Sequence, residues 1–393
     1  MKQLPIALTA VGVLALSGCS ASSTGSAGSG SKDPIVVGSI NGLSGPATFP
    51  EASQAAKAVF DEVNAAGGIQ GRKIKYEITD DKADPATASA NARQLVGSDG
   101  AVGLVGSASF LECQVNAGYF EQNDVLSIEG TGVDPKCFSS PNISPVNVGP
   151  YLDAQMALTY GSEVLKKKKI CVLLENQGSS NPFFKAAIND WTKATGEKPY
   201  QMFEGLPFGG ADYTPYITNA KRSGCDTVFV NNVQPDALAQ MKAAHAQGWD
   251  DVTFLFLTSV YTDQFAKAAQ AVGAGVYVPA EFAPHDDPNA PATKAWRALM
   301  TKKGIQLTSF GQGGYLAATY FVTALKSIKG GINRESVTKA LRAMEPQSNP
   351  MTGTPWVFGT AQSHSSNRAG FPVALLPGKK AWQATGDKPI VLK

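Results

Sequence analysis

Residue types that commonly perform enzyme chemistry are sparse in this chain of 393 residues. Only three histidines occur, His245, His285 and His364, and none stands at metal-ligand spacing from another histidine or a cysteine. There is no G-x-S-x-G nucleophile elbow and no G-x-x-x-x-G-K-S/T phosphate loop. The Ser-x-x-Lys spacing from Ser336 to Lys339 lies in an amphipathic helical pattern and is best explained by chance. We predict no catalytic residue, no metal site and no cofactor, although a surface hydrolase stays open because catalytic triads assemble in space.

Three aspartates, Asp80, Asp81 and Asp84, lie close together and have the oxygen atoms that a cation would need. The same cluster fits a loop between a strand and a helix, in which Asp84 caps the helix before Pro85. We favour the loop. The formal net charge is only +2, which gives no electrostatic reason to expect a nucleic-acid partner.

The start of the chain changes character at its first cysteine. The segment from Pro5 to Leu16 is almost wholly apolar, too short to span a bilayer, and fits the apolar region of a secretory signal. The four residues 16–19, Leu-Ser-Gly-Cys, resemble the lipobox of bacterial lipoproteins, which implies cleavage before Cys19 and lipidation of its thiol. Residues 20–31 contain only Ser, Ala, Gly and Thr, a composition typical of a flexible tether. We expect a signal peptide at 1–18, a tether at 19–32, and a lipid anchor on the extracytoplasmic face of the cell membrane.

The four remaining cysteines are an even number, which favours disulfides in an oxidising compartment and allows three pairings. A bridge between Cys113 and Cys137 would close a loop of about 25 residues, worth about 3–4 kcal/mol in the chain-entropy model. Cys171 and Cys225 each stand at or just before an apolar strand pattern, so they could bridge neighbouring parallel strands. The alternative is that these thiols are free and buried.

The elements that would position a site alternate between strand and helix patterns. In the first part of the chain, strands are predicted at 35–37, 73–78, 101–105 and 125–128, with helices at 52–66, 84–96 and 113–122. The rhythm restarts after residue 150, with strands predicted at 170–174, 200–206, 227–230, 254–257 and 276–278 and helices between them. This order predicts two α/β units, each with a parallel sheet. Near the C-terminus we predict helices at 315–328 and 334–344, and strands at 356–358 and 372–376 that form a small antiparallel cap.

In parallel sheets, ligands bind beyond the carboxyl ends of the strands. The segments that follow the first, third and fourth predicted strands, 41–46, 106–109 and 130–132, are rich in small and hydroxylic residues. Their hydroxyl and backbone N–H groups are suitable hydrogen-bond donors for an anionic group. Ordinary turns use the same residue types, so each segment alone is a weak indication.

Several motifs together resemble periplasmic leucine/isoleucine/valine-binding proteins, which are receptors of ABC importers. The motifs are Ser-Gly-Pro at 44–46, the string N-A-A-G-G-I-x-G-R-K at 64–73, Asp-Asp at 80–81 and Asp-Pro at 84–85. The resemblance covers about residues 33–385. It implies two doubly wound parallel-sheet α/β lobes joined by three crossovers, the type I periplasmic-binding-protein fold, which closes on its ligand like a hinge. The implied lobes are 33–150 with 279–352, and 151–278 with 353–393.

The resemblance also implies where the ligand binds. It suggests Phe49 as an aromatic wall and Ser109 and Thr131 as the hydroxyls nearest a ligand carboxylate, with Phe110 where a serine is common. In the second lobe, the segment containing Ser180 and Phe183 follows the first strand, and Gln234 takes the place of a usual tyrosine. The acid expected to bind a ligand ammonium should fall near Ser259, where the sequence has no carboxylate. The predicted ligand-binding residues are therefore Phe49, Ser109, Phe110, Thr131, Ser180, Phe183, Gln234 and Ser259.

A buried ammonium without an anionic partner is costly, so the missing acid argues against a standard branched-chain amino acid. A carboxylate or neutral ligand with an apolar or aromatic body suits the aromatic residues of these segments better. We expect a monomeric receptor, not an enzyme, that delivers an amino-acid-like or organic-acid solute to an ABC permease. A ligand sensor of the same fold, coupled to a signalling partner, is the alternative. No contact with the membrane is expected other than the lipid anchor.

Overall fold

The N-terminal apolar segments form a parallel sheet in the order β2-β1-β3-β4. Its strands are β1 (Ile35–Asn41), β2 (Ile74–Asp80), β3 (Leu104–Ser109) and β4 (Ser127–Gly132), and its helices are α1 (Pro50–Ala65), α2 (Pro85–Arg93), α3 (Glu112–Gln122) and α4 (Pro135–Ser139). Strands β1, β3 and β4 are almost wholly buried, as expected where helices cover both faces of a parallel sheet. The computed structural model describes residues 33–392 except 46–47, 210–211, 366 and 387, so Cys19, the signal peptide and the tether lie outside the described residues.

The second sheet has the order β11-β10-β9-β8-β7-β5-β6, and β12 also pairs with β10. Strands β5 to β9 are parallel, and they are β5 (Ile170–Glu175), β6 (Gln201–Leu206), β7 (Thr227–Val230), β8 (Thr253–Leu255) and β9 (Gly275–Ala280). The helices of this half are α5 (Pro150–Thr159), α6 (Asn181–Thr195), α7 (Thr214–Arg222), α8 (Gln234–Ala246) and α9 (Asp263–Ala269).

Three further helices return to the first sheet: α10 (Lys294–Lys303), α11 (Ser309–Ser327) and α12 (Arg334–Arg342). Their apolar side chains share one core with those of β1 and α1. Helix α11 approaches α1 so closely that a Cβ atom on Gly314 would lie 1.8 Å from the carbonyl oxygen of Ala52. The chain then goes back to the second sheet through β10 (Ala369–Leu375), β11 (Gln383–Ala384) and β12 (Ile390–Val391). It therefore crosses between the sheets three times, and the predicted fold class, two doubly wound lobes with three crossovers, is confirmed.

Of the small antiparallel cap predicted near the C-terminus, only the second strand is present. Residues 372–376 overlap β10, which pairs antiparallel with β9 and so extends the second sheet. Trp356 makes only an isolated bridge with Gln347 and packs with Phe358 in the core of the first sheet. The boundaries of the lobes stay a prediction, and this packing favours a return to the second lobe after Phe358 rather than at 353.

The glycine-rich string at 64–73 forms a tight turn between α1 and β2. Gly68 has a φ of +83°, and a Cβ atom there would lie 2.0 Å from the carbonyl oxygen of Arg72. Ile69 and Arg72 exchange two backbone hydrogen bonds of 2.9 Å across this turn. The string therefore shapes the scaffold, and it lies at the opposite end of the strands from their carboxyl ends.

Both predicted disulfides are present. Cys113 of α3 is bonded to Cys137 of α4, with their Cα atoms 5.1 Å apart. Cys171 of β5 is bonded to Cys225, just before the neighbouring parallel strand β7, with a Cα separation of 5.9 Å. None of the helices among the described residues has both the length and the apolar character needed to cross a bilayer.

Candidate functional site

A cavity of about 320 Å³ lies at the carboxyl ends of the strands, between the two lobes. Residues after β3 and β4 line one side, and residues after β5, β7, β8 and β9 line the other. This is the place where an α/β sheet binds ligands, in the crevice beyond the carboxyl ends of its strands. The cavity size is that of a small-molecule site.

Aromatic rings form the wall contributed by the first lobe. The rings of Phe49 and Phe110 lie 5.4 Å apart, and Phe310, at the start of α11, makes an edge contact with Phe49 at 4.8 Å. All three line the cavity. Phe310 was missed by sequence reasoning because it is about 260 residues from Phe49 in the chain and only the return of α11 to the first sheet brings it here.

The second lobe contributes the opposite apolar wall, which contains Phe184, Phe208, Val233 and Leu257. Phe184 is buried, and its ring lies 5.0 Å from that of Tyr151, which also lines the cavity. A ligand between these walls would therefore contact apolar and aromatic groups from both lobes.

Five of the eight predicted ligand-binding residues line this cavity: Phe49, Phe110, Thr131, Ser180 and Ser259. Thr131 follows the pattern expected of a binding hydroxyl, since its Oγ1 is buried and has no hydrogen-bond partner within the described chain. Contact of these residues with a ligand stays a prediction.

Ser109 does not line the cavity, which corrects the expectation that its hydroxyl faces the ligand. The hydroxyl donates to a carboxylate oxygen of Asp81 and accepts from the N–H groups of Leu111, at 2.9 Å, and Glu112, at 3.0 Å. Residues 106–109, expected to be a loop, belong to β3, so Ser109 stands at the end of the strand and its hydroxyl accepts N–H bonds at the start of α3.

Phe183 and Gln234 also lie outside this cavity. Phe183 is 45% exposed, and the helical register of α6 places its neighbour Phe184 on the cavity side instead. Gln234 borders an adjoining cavity of about 380 Å³, where its side-chain oxygen accepts a hydrogen bond of 2.8 Å from Thr262. The two cavities share Phe49, Val233, Ser259 and Phe310.

The charged groups of the first cavity are all acids. Asp134, Asp153 and Glu281 line it, and no lysine, arginine or histidine is among its described lining residues. Asp134 caps α4, accepting from the N–H of Lys136 at 2.7 Å. Burial raises the pKa of the Asp134 carboxyl.

Glu281 forms hydrogen bonds with residues of the two other crossover segments. Its Oε1 accepts hydrogen bonds from Asn147, at 3.0 Å, and from the N–H of Gly149, at 2.7 Å, while its carbonyl oxygen accepts from Asn367 at 3.0 Å. These residues belong to three different crossover segments. Burial raises the pKa of Glu281 to about 7, although the hydrogen bonds from Gly149 and Asn147 to its carboxylate lower the pKa.

Asp153 is fully buried in the first turn of α5. Its Oδ2 accepts a hydrogen bond of 2.7 Å from the N–H of Thr258, and its Oδ1 has no partner among the residues that the structure describes. Burial, and then the nearby charge of Glu281, raise the pKa of Asp153 well above its usual value. Sequence reasoning missed both acids, although an aspartate inside the mostly apolar segment after residue 150 was a signal.

A second group of buried acids lies in the first lobe, outside the cavity. Ser107 donates to Glu112 at 3.2 Å, and Ser127 donates to Glu129 at 2.6 Å. Burial raises the pKa of Glu129 to about 7, and burial together with Glu129 raises the pKa of Glu112 well above its usual value. Across residues 33–392, apart from the gaps given above, no group of three or more His, Cys, Asp or Glu side chains could hold a metal ion.

Curated relatives cover most of the chain at low identity. An amino acid binding protein of Pseudomonas aeruginosa is 25% identical over 361 residues, covering 88% of this chain and 87% of the relative. The Leu/Ile/Val-binding protein of Escherichia coli is 24% identical over 322 residues, covering 79% of this chain and 83% of the relative.

Solved structures show the same fold. The branched-chain amino acid transporter substrate binding protein LivJ of Streptococcus pneumoniae, in complex with isoleucine, superimposes with a TM-score of 0.74 at 18% identity, over 91% of this chain and all of that one. A fatty acid ABC transporter substrate-binding protein of Thermomonospora curvata gives 0.74 at 18% identity, over 92% of this chain and 94% of that one. The predicted resemblance to leucine/isoleucine/valine-binding proteins is thus confirmed. A family model described as periplasmic binding protein matches residues 34–376, and the chain therefore belongs to that family.

Proposed function

We propose that this protein is a lipid-anchored extracytoplasmic receptor that delivers a small solute to an ABC importer. The observation that carries the proposal is the cavity between the lobes, because residues from both lobes line it. Relatives described as amino acid binding proteins and as ABC transporter substrate-binding proteins support the same role.

We propose that closure of the two lobes signals that ligand is bound. Thr258 of the second lobe and Ser309 of the first lie 3.3 Å apart between their hydroxyl oxygens, so the lobes meet beside the cavity. A ligand shifts the balance between open and closed forms only by its different affinity for the two. A ligand that contacts Phe310 on one side and Phe184 on the other gains both contacts only in the closed form.

We propose that no covalent step occurs. In this account Thr131, Ser180 and Ser259 are hydrogen-bonding groups rather than nucleophiles. Phe49, Phe110 and Phe310 would hold the apolar body of the ligand. The relatives carry names for both amino acids and a fatty acid, so the family name alone does not fix the solute.

Uptake by whole cells tests the proposal. Cells that lack the gene should lose uptake of the labelled solute, and wild-type protein should restore it. Import that is unchanged without the gene, together with an altered transcriptional or kinase response to the same solute, would contradict import and favour the sensor.

A further inference from the structure

We infer that Tyr261 of the second lobe forms a latch with His285 and Asp286, which lie in the second crossover, and that this latch favours the closed arrangement of the lobes. The inference rests on the proposed function, because it concerns the closure by which the receptor responds to its solute. We name Tyr261, His285 and Asp286 the crossover latch. None of these three residues lines either of the two cavities described above, so the latch acts on closure without contacting the ligand.

The second lobe fixes the position of the Tyr261 ring. The residue lies between β8 and α9, is fully buried, and belongs to the core of the second sheet. Its ring makes an edge contact with that of Trp382, at 5.3 Å between ring centroids. The indole N–H of Trp382 in turn donates to the carbonyl oxygen of Thr262 at 3.0 Å. Because the ring of Tyr261 packs in this core, it moves with the second lobe.

The hydroxyl group of Tyr261 bonds to the second crossover. It donates to a carboxylate oxygen of Asp286 and accepts from the backbone N–H of His285 at 3.0 Å. The buried ring of His285 lies 4.3 Å from that of Tyr261 and 5.9 Å from that of Trp296, in α10. Two consecutive residues of the crossover therefore use both the donor and the acceptor function of the phenol.

The first lobe holds this part of the crossover. Ala283 belongs to the core of the first sheet, and its N–H donates to the carbonyl oxygen of Met351 at 2.8 Å. The carbonyl oxygen of Ala283 accepts from Gln312 of α11 at 2.9 Å. The bonds of Tyr261 therefore connect the second lobe to a segment that moves with the first, and separation of the two would break them. In this account the ligand-free protein contains open and closed molecules, the latch raises the closed share, and the ligand shifts the remainder.

Asp286 is the charged partner of the phenol. Burial raises the pKa of its carboxyl to about 6; the hydrogen bond from Tyr261 lowers this pKa, the charge of Asp263 in α9 raises it, and that of Arg297 in α10 lowers it. Burial, and then the charge of Arg297, lower the pKa of His285 to about 3, so the His285 ring stays neutral. Above about pH 6, Tyr261 therefore donates to an ionised carboxylate, and such hydrogen bonds are about twice as strong as neutral ones.

The direction of this pKa effect predicts when the latch is strongest. Because the hydrogen bond from Tyr261 lowers the pKa of Asp286, the hydroxyl stabilises the closed arrangement most when Asp286 is ionised. At lower pH Asp286 is protonated, and the bond then joins two neutral groups. The contribution of the Tyr261 hydroxyl to closure should therefore decrease as the pH falls through about 6.

Small-angle scattering of the ligand-free protein at about pH 7.5 tests the latch. Tyr261→Phe removes only the hydroxyl oxygen. We expect the ratio of closed to open molecules to fall about 10-fold, as for the loss of one hydrogen bond to a charged group, and the radius of gyration to increase. Tyr213→Phe is the matched control, because the buried Tyr213 hydroxyl donates to the carbonyl oxygen of Pro207 at 2.9 Å within the second lobe. An unchanged curve for Tyr261→Phe, or equal increases in both variants, would overturn the inference.

A second measurement identifies the charged partner. The scattering difference between wild type and Tyr261→Phe should be smaller at about pH 5 than at about pH 7.5. In a carbon NMR titration, the pKa of the Asp286 carboxyl should be higher in Tyr261→Phe than in wild type. An unchanged pKa, or a scattering difference of the same size at both pH values, would contradict the bond to Asp286. Circular dichroism checks that both variants are folded.

Failure of this inference differs from failure of the proposed function, because the scattering comparison uses no ligand. If Tyr261→Phe and wild type scatter identically while a solute still binds, the latch is refuted and the receptor function stands. If no compound of a broad metabolite library binds, the proposed function itself is contradicted.

Discussion

The carboxylate of Asp153, in the first turn of α5, accepts a hydrogen bond of 2.7 Å from the N–H of Thr258, just after β8. This contact connects the first crossover to the carboxyl end of the second sheet. Glu281, beside it, bonds to residues 147 and 149 of the same crossover. The polar end of the cavity and the crossover segments are thus parts of one hydrogen-bonded structure.

The ring of Phe310 should contribute to ligand affinity, and that of Phe183 should not. Phe310→Ala removes an aromatic wall of the cavity, and we expect a loss of about 1.5–3 kcal/mol in binding free energy, the value of burying a phenylalanine. Phe183→Ala removes the same ring from an exposed position outside the cavity, so calorimetry should give the wild-type affinity. Equal losses in the two variants would contradict the placement of the site.

Substitution of Ser109 should lower stability, and substitution of Thr131 should weaken ligand binding. Ser109→Ala removes a donor to Asp81 and an acceptor at the start of α3, so the free energy of unfolding should fall by about 1–2 kcal/mol. Thr131→Val removes a hydroxyl without a described partner, so it should weaken ligand binding about threefold to tenfold and leave stability close to wild type. Denaturant titration measures the free energy of unfolding, and calorimetry measures the ligand affinity. A loss of stability in Thr131→Val together with a loss of affinity in Ser109→Ala would contradict these roles.

The pair Glu112 and Glu129 should make the protein less stable as pH rises. Both pKa values are raised in the folded state, so the contribution is fully present below about pH 4.5, where the unfolded chain is also protonated. It is lost as pH rises through the folded-state pKa of each group, which is about 7 for Glu129. For Glu129 alone the change is on the order of 3 kcal/mol. We expect the difference in unfolding free energy between wild type and Glu129→Gln to vary over this range. Parallel curves from pH 4 to 8 would contradict a buried proton at this pair.

The Cys113–Cys137 disulfide should affect both stability and binding. It joins α3 to α4, next to Leu111, Gln114 and Asp134 of the cavity. Replacing both cysteines by serine should cost about 2–4 kcal/mol of unfolding free energy and should also weaken ligand binding.

The other disulfide supplies the control. The serine pair at Cys171 and Cys225 lies within the second sheet, away from the cavity, and should cost stability only. A binding loss as large as that at the first bridge would show that the effect is general loosening of the fold.

Cys19 should be the anchor. Cys19→Ala removes the thiol that the lipobox resemblance implies is lipidated, so labelling with a radioactive fatty acid should disappear and the precursor should stay uncleaved. Persistent labelling of the variant would contradict lipidation of Cys19. That result would not contradict the binding site.

Local patterns were sufficient to predict much of the fold. The alternation of strands and helices predicted both parallel sheets, and the cysteine count allowed both disulfides. The prediction of a strand at 356–358 is wrong because a short apolar segment can also be buried without regular secondary structure. Trp356 and Phe358 are buried in this way. Apolar residues indicate burial, and they do not indicate which sheet or loop buries them.

The site was harder to predict because it is assembled from distant segments. Phe49, Phe110 and Thr131 line the cavity as the sequence predicted, because Phe49 precedes α1, Phe110 follows β3 and Thr131 stands near the carboxyl end of β4. Their contact with a ligand stays a prediction. Asp153 and Phe310 come from a crossover and from a helix that returns to the first lobe, so no local pattern connects them to the cavity. The prediction for Ser109 differs from the structure for another reason. A hydroxyl at the end of a strand can accept a hydrogen bond from an N–H group at a helix start as readily as it can bind a ligand.

Small-angle scattering of the wild-type protein, with and without the solute that most raises its melting temperature, tests whether the two lobes close around a small solute. Binding of that solute should reduce the radius of gyration of the protein. An identical scattering curve at saturating ligand, with binding verified by calorimetry in the same sample, would contradict closure.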